Sequence, residues 1–222
     1  MCRVRTQFTR ELVALTNDLT LMCRLAHDAA ERVTAALGDA DLAATYEAFA
    51  LDEQLQKMYS ACEARTVVLL ALQAPVARDL RHVVTAIQIA TELSRIGGLI
   101  SRVADQVYKC HPEPVAPRPL MDILTAMGRL AAHCTALAGE SVATGHQSAV
   151  SESGAPAMDQ LHLRLHSALA DPTLTHPTEA AIDIAMVGNN LERCIDHTDR
   201  IDRLIRFLDT GIPPTAQPSD PE

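Results

Sequence analysis

The chain contains no tryptophan and has only three phenylalanines, three tyrosines and two lysines among its 222 residues. Hydrophobic residues nevertheless make up 48 % of the sequence. A core built from aliphatic rather than aromatic side chains favours helix-on-helix packing over a sheet sandwich. At this length the chain can bury a sizeable core, as one large domain or two small ones.

Features of secreted and membrane proteins are also missing. The first six residues include polar side chains and no apolar leader follows, so no signal peptide is predicted. The longest apolar runs, such as residues 67–72, are far shorter than a membrane span. The six cysteines form no Cys-x-x-Cys pair, which is typical of reduced, core-filling thiols. We therefore expect a cytoplasmic protein that reaches a membrane only through its partners.

Two function classes are disfavoured as well. The 28 acidic residues outnumber the 19 basic ones and give a net charge of −9, so there is no basic patch for nucleic acid. The sequence also lacks Glu-x-x-His, His-Glu-x-x-His, Gly-x-Ser-x-Gly and glycine-rich phosphate-binding motifs. No nucleophile, base and oxyanion donor come together, so we predict no enzymatic activity.

Helical periodicity runs through most of the chain, and no stretch alternates with a period of two. The predicted helices cover residues 8–37, 39–73, 76–110, 120–143, 158–170 and 178–209. Gly38 and Pro75 separate the first three, and four prolines mark a stiff linker at 111–119. The sequence therefore predicts an all-α fold of two pseudo-symmetric three-helix bundles, 1–110 and 120–211, with a disordered tail at 212–222.

An internal repeat supports these two bundles. An apolar seam with alternating spacings of four and three residues recurs at an offset of 98 positions. Its first copy consists of Ile89, Leu93, Ile96, Ile100, Val103 and Val107. Its second copy consists of Val187, Leu191, Cys194, Thr198, Ile201 and Ile205. Each bundle should be built around one such helix.

An acidic row lies beside the second seam. Glu192 and Asp196 are one helical turn apart, and such a pair binds a cation if another helix supplies more ligands. Asp159, His162 and His166 share one face of the preceding predicted helix and could supply them. The alternative is a solvated surface of opposite charges spaced i,i+4. Its pairs are Asp196–Arg200, Asp199–Arg203 and Asp202–Arg206.

The first half offers fewer ligands. Ser94 and Gly98 stand where the second half has Glu192 and Asp196, and neither can act as a carboxylate ligand. Asp52 on the preceding helix is a weak candidate, because one carboxylate alone holds no ion. Any metal should therefore occupy the second half only.

Four segments resemble the PhoU family of phosphate-signalling regulators. They are 69–81 (LLALQAPVARDLR), 93–97 (LSRIG), 191–197 (LERCIDH) and 207–211 (FLDTG). The resemblance covers residues 7–211, and the low lysine content is similar to that of the actinobacterial branch. It implies two three-helix bundles, a homodimer, and iron or zinc bound by acidic motifs. Glu192, Asp196 and Asp159 match those motifs, whereas Gln56, Ser94 and Gly98 depart from them.

The resemblance also implies a function. Such proteins are cytoplasmic negative regulators of phosphate uptake and of the phosphate-starvation response. They connect the ATPase of a phosphate ABC transporter to a sensor histidine kinase. The alternative is a helical protein that stores iron or zinc on carboxylates or acts as an oxidase.

Overall fold

The computed structural model describes residues 2–146, 154–171 and 177–216. Within these ranges the chain forms six α-helices, one 3-10 turn and no strand. The helices are α1 (Cys2–Asp39), α2 (Leu42–Gln73), α3 (Ala77–Cys110), α4 (Arg118–Thr144), α5 (Gly154–Leu169) and α6 (Thr178–Thr210). The all-α prediction is confirmed. The predicted tail has a 3-10 turn at Pro214–Ala216, and residues 217–222 lie outside the described residues.

The helix ends follow from local sequence, with one correction. Asp41 caps α2, because its Oδ1 accepts a hydrogen bond from the Ala43 amide at 2.7 Å. Gly38 was expected to end the first helix, but α1 continues through it to Asp39. Ala40 instead takes the left-handed conformation, with φ at +51°. The Asp41 amide then donates a hydrogen bond to the Ala36 carbonyl, which completes the end of α1.

α5 begins earlier than the sequence suggested. The periodicity predicts a start at Met158, after Pro156, which is read from the sequence as part of a polar break. In the structure Pro156 lies in the first turn of the helix, where a missing amide hydrogen costs nothing. Gly154, the first residue of α5, is buried against Cys134 of α4.

Both copies of the repeated seam are buried. All twelve seam side chains are at most 2 % exposed, from Ile89 in α3 to Ile205 in α6. α1 packs against α4, and α3 packs against α6, so the two halves join through these two helix pairs. The contacts Glu92–His197 and Gln106–Asp183 show that α3 and α6 run antiparallel. Each half places its repeated helix at this junction.

The linker that follows α3 contacts the first half of the chain. The His111 ring donates through Nδ1 to the Ala40 carbonyl at 3.1 Å. Val115 and Ala116 are buried, so this proline-rich segment packs onto the helices.

Four of the described cysteines behave as core side chains, and Cys110 is only partly buried. Cys23, Cys62, Cys134 and Cys194 are buried, and all have free thiols. Burial raises the pKa of Cys23 and of Cys194 to about 12, so both stay protonated at neutral pH.

α3 is the one described helix that is long and apolar enough to cross a membrane. More than half of its most apolar window, 56 %, is buried inside the protein. Its apolar character is therefore explained by its central place in the core.

Candidate functional site

Three of the five predicted second-half ligands lie in contact. His162 of α5 donates through Nδ1 to Glu192 Oε2 of α6 at 2.6 Å. The second nitrogen of His162, Nε2, lies 2.6 Å from Nε2 of His166, and the two rings stack with centroids 4.5 Å apart. The three side chains therefore form a hydrogen-bonded chain that holds α5 on α6.

The other two predicted ligands do not join this hydrogen-bonded chain of side chains. Asp159 and Asp196 are exposed, and neither is hydrogen-bonded to His162 or Glu192. No group of three or more His, Cys, Asp or Glu side chains in the described ranges could hold a metal ion. Both ring nitrogens of His162 are engaged, so these residues as arranged do not fit a metal. Binding one would require His162 to release Glu192 or His166, and the metal assignment stays a prediction.

The corresponding place in the first half is a closed hydrogen-bond network. Asp52 Oδ1 accepts from Gln56 Nε2 at 2.8 Å, and Oδ2 accepts from Ser101 Oγ at 2.6 Å. Ser94 Oγ donates to Gln56 Oε1 at 2.6 Å. Both oxygens of the Asp52 carboxylate are thus satisfied by neutral donors, and the network holds α2 on α3.

Gly97 is required for this close approach. A Cβ built on it would lie 2.5 Å from Asp52 Oδ1 and 2.7 Å from a methyl carbon of Leu55. A Cβ on the neighbouring Gly98 would meet no atom within 4 Å. The two adjacent glycines therefore differ in role, and only Gly97 is a packing position.

One of the three salt bridges predicted along α6, Asp196–Arg200, is not formed. Arg200, which the spacing pairs with Asp196, instead places Nη1 3.6 Å from Glu92 Oε2 of α3. Asp202 is 3 % exposed and belongs to the core rather than to a solvated face. The i,i+4 rule treats α6 as an isolated helix, whereas α3 covers this part of it.

Sequence reasoning missed the buried polar pair at the centre of the molecule. Glu92 Oε2 lies 2.5 Å from Nδ1 of His197, which is 4 % exposed. Burial raises the pKa of Glu92, but the hydrogen bond and charge of His197, with Arg95 and Arg200, outweigh it. The pKa of Glu92 therefore lies below its ordinary value. The sequence did hold one clue to this pair. Glu92 lies beside the seam of α3, and His197 lies beside the seam of α6.

The turn between α2 and α3 carries exposed apolar side chains. We call this surface the apolar tip; it consists of Val67, Val68, Leu70, Leu72, Val76, Leu80 and Val84. No charged residue occurs between Arg65 and Arg78, so the stretch is uncharged as well as exposed. Leu72 is 75 % exposed. Contiguous exposed apolar surface of this kind marks a site of protein association.

The end of α6 packs against the start of α3, beside the apolar tip. The Arg81 guanidinium lies 5.6 Å from the centre of the Phe207 ring, a cation–π distance. Gly211, which ends α6 with φ at +78°, leaves room for Arg81: an added Cβ would lie 2.5 Å from its Nη1. The start of α3 and the end of α6 therefore pack as one unit.

Comparison with known proteins identifies the family. The family model described as "PhoU domain" matches residues 19–107. The chain is 36 % identical over 210 residues to phosphate-specific transport system accessory protein PhoU homolog 1 of Mycobacterium leprae, covering 94 % of this chain and 95 % of that one. It is 35 % identical to PhoU homolog 2 of Mycobacterium tuberculosis, covering 95 % of this chain and all of that one. The chain belongs to the PhoU family.

Solved structures agree on the PhoU fold. The PhoU structure from Streptococcus pneumoniae superimposes with a TM-score of 0.79 at 22 % identity, covering 92 % of this chain and 97 % of that one. PhoU from Pseudomonas aeruginosa gives a TM-score of 0.73 at 24 % identity, covering 92 % and 99 %. The resemblance seen in the sequence is thus confirmed, and mycobacterial relatives are consistent with the actinobacterial branch.

The PhoU-like segments, far apart in sequence, meet in pairs. The segment 69–81 forms much of the apolar tip and ends in Arg81, which lies over Phe207 of the segment 207–211. The segment 191–197 ends in His197, which binds Glu92 beside the segment 93–97. These segments mark the tip and the junction between the halves.

Proposed function

We propose that this PhoU-family chain is a negative regulator of phosphate uptake and of the phosphate-starvation response. It acts as a non-enzymatic cytoplasmic adaptor that binds the ATPase of a phosphate-specific ABC transporter and a sensor histidine kinase. Its relatives carry the name of accessory proteins of the phosphate-specific transport system, which supports the transporter as one partner.

The apolar tip is the observation that carries this proposal. An adaptor needs a surface that loses water on binding, and the tip offers exposed valine and leucine side chains, with no charged residue between Arg65 and Arg78. We assign the tip to the transporter ATPase. The histidine kinase and a second copy of the chain then bind elsewhere, and light scattering of the purified chain tests the homodimer.

A genetic complementation experiment tests the proposal. Deleting the gene should derepress phosphate-uptake transcripts at high phosphate, and the wild-type chain should restore repression. The Leu72→Glu variant should fail at equal protein abundance, because a charge on the tip resists burial. Leu163→Glu, at a 68 % exposed site on α5, should repress like wild type. Transcripts unchanged by deletion would contradict the regulatory role, and full repression by Leu72→Glu would contradict the assignment of the tip.

A further inference from the structure

A long groove lies between α1 and α4, on the line where the two halves meet. One cavity of about 690 Å³ is lined by α1 and α4 between His27 and Ala136. A second, of about 720 Å³, continues it toward the linker and Arg118. The two cavities share Gly38, Asp39, Thr125 and Arg129. Each has the volume of a typical small-molecule site.

Basic side chains with uncommitted donors line this groove. Arg129 and His133, one turn apart on α4, have no hydrogen bond or ion pair with any described residue, and Arg118 has none either. On α1, Arg32 uses Nε to bind Glu47 at 2.9 Å. Forked guanidinium groups of this kind bind phosphate oxygens in pairs.

Acidic side chains also line the groove, but no described carboxylate pairs with Arg118 or Arg129. Glu31 lies 3.6 Å from His27 Nε2, and the His27 ring is held in place by the Ala132 carbonyl at 3.0 Å from Nδ1. Asp39 and Asp122 also line the groove. Three arginines and three carboxylates therefore line the two cavities, and Glu47 is a further carboxylate bound to Arg32. Arg118 and Arg129 are the two groove arginines that no described carboxylate binds.

Three small apolar residues line the first cavity. They are Ala35, Ala132 and Ala136, and small residues let the two helices approach closely. At Gly128 an added Cβ would lie 2.5 Å from Thr34 Oγ1. A flat organic group can lie on these alanines while an anionic group reaches the arginines.

We propose that the α1–α4 groove binds an organic phosphate of nucleotide size. Its phosphate contacts Arg129, with Arg32 or Arg118 as the second cation, and its organic part lies on the alanines. Inorganic phosphate would fill only a small part of the volume. The groove shares no residue with the apolar tip, so this proposal and the adaptor proposal can fail independently.

Isothermal titration of the full-length protein tests the groove, with ATP, AMP and inorganic phosphate as separate probes. We expect saturable binding of ATP or AMP at one site per chain. Arg129→Ala should weaken it by about tenfold or more, because one charged phosphate contact is lost. Arg164→Ala removes an exposed arginine of α5 outside the groove and should bind like wild type.

Three results would overturn the proposal. They are the absence of saturable binding of ATP and AMP up to about 1 mM, equal affinity of Arg129→Ala and wild type, and inorganic phosphate binding as tightly as the nucleotides. Arg129 is exposed, so its variant should fold, and a thermal melt checks this. His133→Ala provides a second variant in the same cavity and should also weaken binding.

Discussion

Glu92 of α3, half-buried, and His197 of α6, buried, form a hydrogen-bonded pair across the junction of the two halves, with Oε2 and Nδ1 2.5 Å apart. The internal repeat places Asn190 and Leu99 at the equivalent positions. The pair therefore exists once, although the seam around it exists twice. This contact fixes the register of α3 against α6, which the apolar seam alone does not specify.

Replacing Glu92 with Gln should destabilise the protein in a pH-dependent way. The folded-state pKa of Glu92 lies below its ordinary value of 4.5, so its ionised form stabilises the fold above about pH 4.5. That contribution is lost as the pH falls through the lower folded-state value. We expect Glu92→Gln to cost about 1–3 kcal/mol at pH 7 and clearly less at pH 4, measured by urea unfolding. Glu53→Gln, at an exposed site, is the control, and an equal cost for Glu92→Gln at both pH values would contradict the prediction.

Alanine substitution should have opposite effects on stability at the adjacent glycines Gly97 and Gly98 of α3. Gly97→Ala places a methyl group against Asp52 and Leu55, which separates α2 from α3 and should cost about 1–3 kcal/mol. Gly98→Ala meets no atom within 4 Å and should stabilise the helix by about 0.5–1 kcal/mol. Chemical denaturation of both variants measures this difference. Similar stabilities for the two would show that Asp52 and α2 do not pack as described.

The proposed metal site of the second half makes a separate prediction. If His162 releases Glu192 or His166 to bind a metal, elemental analysis of the purified protein should find iron or zinc, and less of it in the Glu192→Ala/Asp196→Ala double variant. Asp52→Asn should leave the metal content unchanged, because the first half has one carboxylate that neutral donors already satisfy. Equal metal in wild type and the double variant would end the assignment without affecting the adaptor proposal.

The repeated seam was predictable because burial of an amphipathic helix leaves a periodic record in the sequence. Every seam position from Ile89 to Ile205 is buried as expected, and Pro75 separates α2 from α3. The family segments could also be recognised directly, because the residues that carry the resemblance, such as 69–81, are consecutive in the sequence.

The contacts between helices were not predictable in the same way. Arg200 pairs with Glu92, and Asp202 is buried, because α3 lies against α6 in a register that neither helix records alone. The end of α1 was placed at Gly38 because glycine favours the left-handed conformation, yet the capping geometry of Asp41 and Ala36 puts Ala40 there. The groove beside Arg129 likewise depends on how closely α1 and α4 approach.

The binding of the purified transporter ATPase to immobilised wild-type, Leu72→Glu and Leu163→Glu chains tests the central claim most directly. The account predicts saturable binding by wild type and by Leu163→Glu, and at least about tenfold weaker binding by Leu72→Glu, since a carboxylate at the most exposed position of the apolar tip must lose its water. Equal affinity for all three chains, or no binding by wild type, would contradict it.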